Sequence, residues 1–195
     1  MHGLPGRGRR LAEQAARLDV AYVEAPLLGT KEPAVAGTLN VLTASPRQEV
    51  REEVRPVLEA VGTRTVWLDE AGQPSSLKLA YNAWVLATVE GIAESLTLAD
   101  ALGVDPHLVI DGSGLNSPYV QSKGPKMLDD DLDTPSFPLE AAAKDAGLIT
   151  DTARAAGLHL GIAEVVRESL RRAADDGLGR ADVAATYRMS RQAAS

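Results

Sequence analysis

Lys78 and Asn82 stand four residues apart in the otherwise apolar stretch Leu77–Val89. At helical spacing they share one face and can reach one ligand. A lysine set among Leu77, Leu79 and Trp84 is suited to give or take a proton, and an amide one turn on can fix a substrate oxygen by hydrogen bonding. Spacing alone leaves a second reading open, in which the Lys78 stem lies along apolar surface at a helix start with its head in water. A second candidate is Glu24-Ala25-Pro26-Leu27-Leu28-Gly29-Thr30-Lys31, followed by Gly37-Thr38-Leu39. Small residues after a strand let backbone N–H groups approach a ligand closely, and ligands of α/β sheets gather at strand C-terminal ends. An ordinary turn has the same composition. A third is Phe137-Pro138-Leu139-Glu140 with Lys144-Asp145 downstream, where Lys144 either reaches a cofactor or pairs with its neighbour in solvent. The acidic run Asp129, Asp130, Asp131 and Asp133 reads as a solvated loop, because it lacks the glycine and bidentate glutamate spacing of calcium loops.

The elements that must position these residues change character near residue 70. Before it, Val20–Ala25, Thr38–Ala44 and Thr65–Asp69 read as strands. Pro46–Gly62 reads as helical from the spacing of Val50, Val54, Val57, Leu58 and Val61, with a break expected at Pro56 and a stop at Gly62. Strand, helix and strand in that order imply a βαβ unit, too small to be a whole doubly wound domain. After residue 70 every periodic segment is helical. The longest, Ser75–Leu102, carries Leu77, Tyr81, Trp84, Val85, Thr88, Ile92, Ser95, Leu98 and Leu102 at helical steps and ends at Gly103. Asp105-Pro106 and Ser117-Pro118 each pair a cap residue with a first-turn proline and start two more helices. Pro138–Ala156 and Ile162–Asp176 follow, closed by Gly157 and Gly177. The last residues, Met189–Ser195, are expected to fray. The fold class is therefore a piece of α/β sheet over residues 1–70 followed by an all-helical domain over residues 71–195.

Composition narrows the chemistry. The 195 residues hold 20 Lys and Arg against 27 Asp and Glu, a net charge of −7, and no cysteine. Interspersed charge of this sign argues against a nucleic-acid partner, which needs clustered Lys and Arg. Without cysteine there is no disulfide framework and no thiolate nucleophile, and His2, His107 and His159 are too scattered to form a metal centre, so no metal is expected. MHGLPGRGRR is not followed by the apolar run of a secretory signal, which makes the cytoplasm the expected compartment. Lys78 and Asn82 interrupt the longest apolar stretch well short of the ~20 residues that span a bilayer, so no membrane span is expected. The long helix is apolar on more than one side, so a second copy of the chain is expected to cover part of it.

Taken in order, the three candidate segments resemble one family, the β-hydroxyacid dehydrogenases, to which 3-hydroxyisobutyrate dehydrogenase belongs and whose helical part is similar to that of 6-phosphogluconate dehydrogenase. Glu24 to Thr30 with Gly37-Thr38-Leu39 resembles the family's substrate-binding D-A-P-V-S-G-G…G-T-L. Gly72 to Asn82 resembles its catalytic G-x-G-x-x-x-K-x-x-x-N, and Phe137-x-Leu139…Lys144-Asp145 its F-x-L…K-D. Pro5…Arg9-x-Leu11-Ala12 and Ser117–Leu128 also fit. The resemblance implies hydride transfer between NADP or NAD and a small hydroxyacid, or the matching aldehyde or keto acid, in a homodimer packed through helices. It implies Lys78 as the proton donor, Leu28, Gly29, Thr30 and Asn82 at the substrate, and Phe137, Lys144 and Asp145 at the cofactor. The Lys31-Glu32-Pro33-Ala34 segment is most similar to the glyoxylate or succinic semialdehyde reductase branch.

The departures from the pattern are also specific. The family's Rossmann half carries G-x-G-x-x-G for the cofactor pyrophosphate, and Gly3, Gly6 and Gly8 do not stand in for it, because position 11 is Leu. Residues 1–70 are thus expected to be a truncated dinucleotide-binding domain. Leu28 takes the place of the motif serine, which removes a hydroxyl donor, and Pro74 that of the second glycine before Lys78. The rival reading is a non-catalytic truncated paralogue or fragment that keeps the helical dimerisation module.

Overall fold

The structure is a computed structural model that describes residues 4–112 and 114–192. The chain folds as two units, Met1–Tyr81 with Asp151–Leu158 and Asn82–Thr150 with His159–Ser195.

In the first unit α1 (Leu4–Arg17), β1 (Leu27–Leu28), α2 (Lys31–Val35), β2 (Leu39–Ala44), α3 (Gln48–Glu59) and β3 (Gly62–Leu68) precede the start of α4 (Gln73–Ala101). The three strands form one sheet in the order β1-β2-β3, with β1 antiparallel and β3 parallel to the central strand. Leu39, Val41, Leu42, Thr43 and Ala44 are buried, as a strand covered on both faces requires. The expected βαβ unit is therefore β2–α3–β3, with α3 packed on β3.

Two sequence expectations need correction here. Val20–Ala25 is not a strand, since only Glu24 bridges to Ala44, and the ladder forms instead where Leu27 faces Val41. Val20 and Ala21 lie in solvent, Glu24 turns inward, and Pro26 has no N–H to give a ladder. Nor does α3 break at Pro56. The proline removes the bond to the Glu52 carbonyl, but both residues are exposed, so the freed oxygen accepts from water instead.

In the second unit α4 continues and is followed by α5 (His107–Asp111), α6 (Pro118–Leu128), α7 (Leu139–Ala155), α8 (Gly161–Asp175), two 3-10 turns (Leu178–Arg180 and Val183–Ala185) and α9 (Thr186–Ser190). The predicted starts are observed: Asp105 accepts from the His107 N–H at 3.0 Å, and Ser117 from the Val120 N–H at 3.3 Å. Gly103, Gly157 and Gly177 adopt φ of 72°, 75° and 89°, a left-handed conformation that ends the preceding helices. The expected fraying is corrected over the described part of the tail. Met189 and Ser190 close α9, and Arg191 pairs with Asp100 at 3.1 Å; residues 193–195 lie outside the described residues. The acidic loop is exposed as expected, yet Asp130 and Asp131 are paired, with Arg188 at 2.7 Å and Lys126 at 3.1 Å.

The structure separates the two apolar sides expected of the long helix. Leu79, Leu86, Val89, Ala93, Leu96 and Ala99 are buried, whereas Trp84, Leu98 and Leu102 are 73%, 60% and 70% exposed. α4 is apolar on two sides, and hydrophobic periodicity cannot rank two apolar stripes.

On α4, Glu90 accepts from the Thr186 hydroxyl at 2.6 Å and the Ser169 hydroxyl at 3.0 Å. Burial pushes its carboxyl up, and the two hydroxyl donors only partly offset this, so it stands above the ordinary glutamate value of 4.5. A folded-state value raised in this way means that the native state holds a proton the unfolded chain has lost. Stability relative to a neutral side chain is then largest below the unfolded value and declines as pH rises through the folded one. Urea midpoints of the parent against Glu90→Gln are expected to diverge upward from about pH 4.5, with the parent losing ground. Parallel pH profiles would refute this.

Candidate functional site

In the first unit, β1 leads directly into Gly29 and Thr30. Gly29 has φ +139°, and a Cβ there would stand 2.5 Å from Leu39 Cδ2 and 3.2 Å from Pro33 Cβ. No side chain fits, so the backbone here must be glycine for both reasons. Thr30 begins α2, its carbonyl accepting from Ala34 N–H at 3.1 Å and its hydroxyl donating to Glu32 at 2.9 Å. The Lys31–Ala34 segment forms most of this helix. Leu28 is half-buried in β1 opposite Asn40 and presents no hydrogen-bonding group.

The start of α4 is held by Glu24, which the sequence places only at the head of the second candidate segment. The buried Glu24 carboxylate accepts from Gly72 N–H at 2.6 Å and from the Ser75 hydroxyl. A carboxylate at a helix N-terminus satisfies otherwise orphaned donors and complements the helix dipole. Gly8 of α1 closes over it, since a Cβ at that position would lie 2.8 Å from Glu24 Oε2. Pro74 sits in the first turn of α4, where its missing N–H costs nothing. The departure from the glycine motif is thereby absorbed. Lys78, half-buried, is one turn further along and keeps its expected place one turn before Asn82 on the same helix. The only sequence signal for Glu24 is its acidic type ahead of Ala25-Pro26.

In the second unit the structure brings three predicted residues together. Asn82 Nδ2 donates to Asp145 Oδ2 at 3.0 Å, and Lys144 Nζ pairs with Asp145 Oδ1 at 3.3 Å. Asp145 is thus the shared acceptor, and its side chain is only 17% exposed against 68% for Lys144. An ionised carboxylate only accepts, so it takes the Asn82 amide N–H and turns the amide oxygen away, free to accept from another group. Of the two sequence readings, Asp145 as a solvated neighbour of Lys144 or as a residue at the cofactor, the first does not describe its half-buried bridge to Asn82.

Phe137 is held in the same unit by a second feature that spacing does not reveal. Lys123 and Asp182 are both fully buried and paired at 2.7 Å. Asp182 also accepts from Ser136 N–H at 2.8 Å, Phe137 N–H at 3.3 Å and Ala184 N–H at 3.0 Å, while Lys123 donates to the Ser136 hydroxyl at 2.8 Å. Burial pushes the Asp182 carboxyl up, but the Lys123 ammonium and the backbone donors of Ala184 and Ser136 outweigh it and hold the group below the usual aspartate range. The two partners are 59 residues apart, beyond any local pattern. An open cavity of about 880 Å³ in this unit, bordered by Glu90, Glu94, Glu168, Ser169 and Arg172, contains none of the motif residues.

A family model described as the NAD-binding domain of NADP-dependent 3-hydroxyisobutyrate dehydrogenase matches residues 72–190, and one described as the NAD binding domain of 6-phosphogluconate dehydrogenase matches residues 5–69. The chain belongs to the β-hydroxyacid dehydrogenase family. It is 29% identical over 188 residues to glyoxylate/succinic semialdehyde reductase 2, chloroplastic, of Arabidopsis thaliana, covering 95% of this chain and 52% of that protein. To 2-hydroxy-3-oxopropionate reductase of Escherichia coli it is 28% identical, over 80% of this chain and 54% of that one. The chain therefore spans little more than half the length of these curated relatives. Its fold is that of Mycobacterium tuberculosis 3-hydroxyisobutyrate dehydrogenase, solved with L-serine, at a TM-score of 0.85, 23% identity and coverage of 96% and 67% of the two chains. The small sheet followed by a largely helical domain is thus the family's own architecture. No helix among the described residues is long and apolar enough to cross a membrane.

Proposed function

We propose that the protein is an NAD(P)-dependent oxidoreductase that transfers hydride between a nicotinamide dinucleotide and a small hydroxyacid or the corresponding aldehyde or keto acid. The observation that carries the reading is the pairing of Asn82, Asp145 and Lys144 in a family member that also keeps Lys78 one helical turn before Asn82. The donor set fits the group: the exposed Lys144 ammonium donates and the Asp145 carboxylate accepts, and a nicotinamide carboxamide carries one partner for each. Phe137, two residues before α7, supplies an aromatic face. When bound, the dinucleotide supplies or receives the hydride.

Everything else falls to the chain's own residues. Lys78 gives a proton to the carbonyl oxygen during reduction and takes it from the hydroxyl during oxidation. Asn82, held by Asp145 through one Nδ2 N–H, donates its second N–H to the same substrate oxygen. The Gly29 and Thr30 backbone binds the substrate carboxylate without a hydroxyl from position 28, and the Leu28 side chain favours a substrate with an apolar or short carbon chain. The α2 segment and the identity to two plant reductases support glyoxylate or succinic semialdehyde as the substrate class. The partner is a second copy of the chain, seated on the exposed stripe of α4.

The test is an assay of reduced-nicotinamide consumption with NADPH and NADH against glyoxylate, succinic semialdehyde and 2-hydroxy-3-oxopropionate. Turnover of at least one aldehyde acid is expected with one of the two dinucleotides, and the loss of that turnover in Asn82→Leu. Absence of turnover with every pair would overturn the reading.

A further inference from the structure

No role at substrate is assigned to the buried ion pair, yet its hydrogen bonds end on one segment. Asp182 Oδ2 receives the N–H groups of Ser136 and Phe137 at 2.8 and 3.3 Å, and the Ser136 hydroxyl at 3.2 Å. The backbone on either side is zipped to the same loop: Asp182 N–H donates to Leu132 at 2.8 Å, Val183 N–H to Phe137 at 2.8 Å, and Leu139 N–H to Ala181 at 2.9 Å. Leu139 is the first residue of α7, which carries Lys144 and Asp145. A loop that needed only to be anchored would be served by these backbone bonds and by the buried Leu132 and Leu139. A fully desolvated lysine and aspartate cost much to bury and add little net stability over a well-packed apolar pair. Their distinguishing gain is direction, because a carboxylate clamped by an ammonium accepts several N–H groups at fixed angles.

We propose that Asp182, clamped by Lys123, is a positioning residue that sets the Ser136–Phe137 turn and thereby aims Phe137 and the Lys144–Asp145 pair of α7 at the nicotinamide dinucleotide. This rests on the oxidoreductase reading above. Lys123 and Asp182 touch neither substrate nor cofactor; they act through the backbone they hold.

The informative variant is the double substitution Lys123→Met with Asp182→Asn, which removes both charges together. Asp182→Asn alone strands a buried ammonium and tests folding more than aim. The double variant is expected to keep the parent's far-UV circular dichroism while amide exchange at Ser136 and Phe137 quickens by about tenfold or more and that at Leu96 and Ala146 stays as in the parent. In NADPH titrations followed by chemical shift its dissociation constant is expected to rise about tenfold. The KM for NADPH should rise by a like factor, with kcat within about threefold of the parent. Faster exchange at all four amides marks a structural role and overturns the proposal. So does local loosening at Ser136 and Phe137 with unchanged NADPH affinity in a parent that binds it. A parent that binds neither NADPH nor NADH overturns the oxidoreductase reading itself, and the aiming role falls with it.

Discussion

Replacing Lys78 by Ala is expected to lower turnover by about 10²-fold or more, because a positioned general acid is commonly worth that much. The loss should fall on kcat and kcat/KM alike, since the proton is needed as charge develops on the substrate oxygen rather than when substrate binds. The substitution is a clean one. Lys78 is half-buried in the interior of α4, and Ala is the better helix former there, so the helix that carries Asn82 is preserved. Lys78→Arg is expected to fail nearly as badly, because a guanidinium keeps its proton and is too broad to replace a compact ammonium. The comparison holds whether the 195 residues are assayed alone or joined to the glycine-rich strand–loop–helix of a relative. Turnover of the Ala variant within about threefold of the parent would assign the proton transfer to another group.

The second large effect concerns association. α4 displays Leu77, Tyr81, Trp84 and Leu98 outward, with Thr88, Gly91 and Ser95 continuing the same stripe at steps of three and four and Leu102 just beyond its end. This is the spacing of a seam between two long helices, and the small residues at its middle permit close approach. Trp84 is the natural anchor, since a large exposed aromatic within an apolar stripe is the type that dominates interfaces. In a two-fold dimer each substitution acts twice. At about 2 kcal/mol or more per lost anchor, Trp84→Glu should weaken the dimer by about 10³-fold. Light scattering after size exclusion is expected to give twice the 20.5 kDa chain mass for the parent and the single mass for Trp84→Glu. The variant should fold as the parent does, because Trp84 is 73% exposed within its own chain. A parent that elutes at 20.5 kDa at about 100 µM, where a standard-size interface would be formed, refutes self-association.

Local chemistry makes much of this protein legible in its amino-acid sequence. A glycine with φ near +75° is the cheapest way to end a helix, so Gly103, Gly157 and Gly177 mark three ends without reference to anything distant. Ser117-Pro118 and Asp105-Pro106 mark two starts for the same reason. The four-residue step from Lys78 to Asn82 puts both on one helix face, and the order of the three motifs carries the family. Each of these depends on interactions within a few residues of itself.

Tertiary structure decides the rest, because the deciding partners are far apart along the chain. α4 carries two apolar stripes of similar character, and only packing selects Leu86, Val89, Ala93 and Leu96 for the core over Trp84 and Leu98. Val20–Ala25 has strand composition, but a strand exists only where a neighbour accepts its hydrogen bonds, and here only Glu24 has one. Glu24 becomes the cap of α4 across 48 residues, Asp145 the bridge to Asn82 across 63, and Asp182 the hub for Lys123 across 59. A buried charge is tolerated only where an opposite charge or a set of N–H donors meets it, and that meeting is made by the folded chain as a whole.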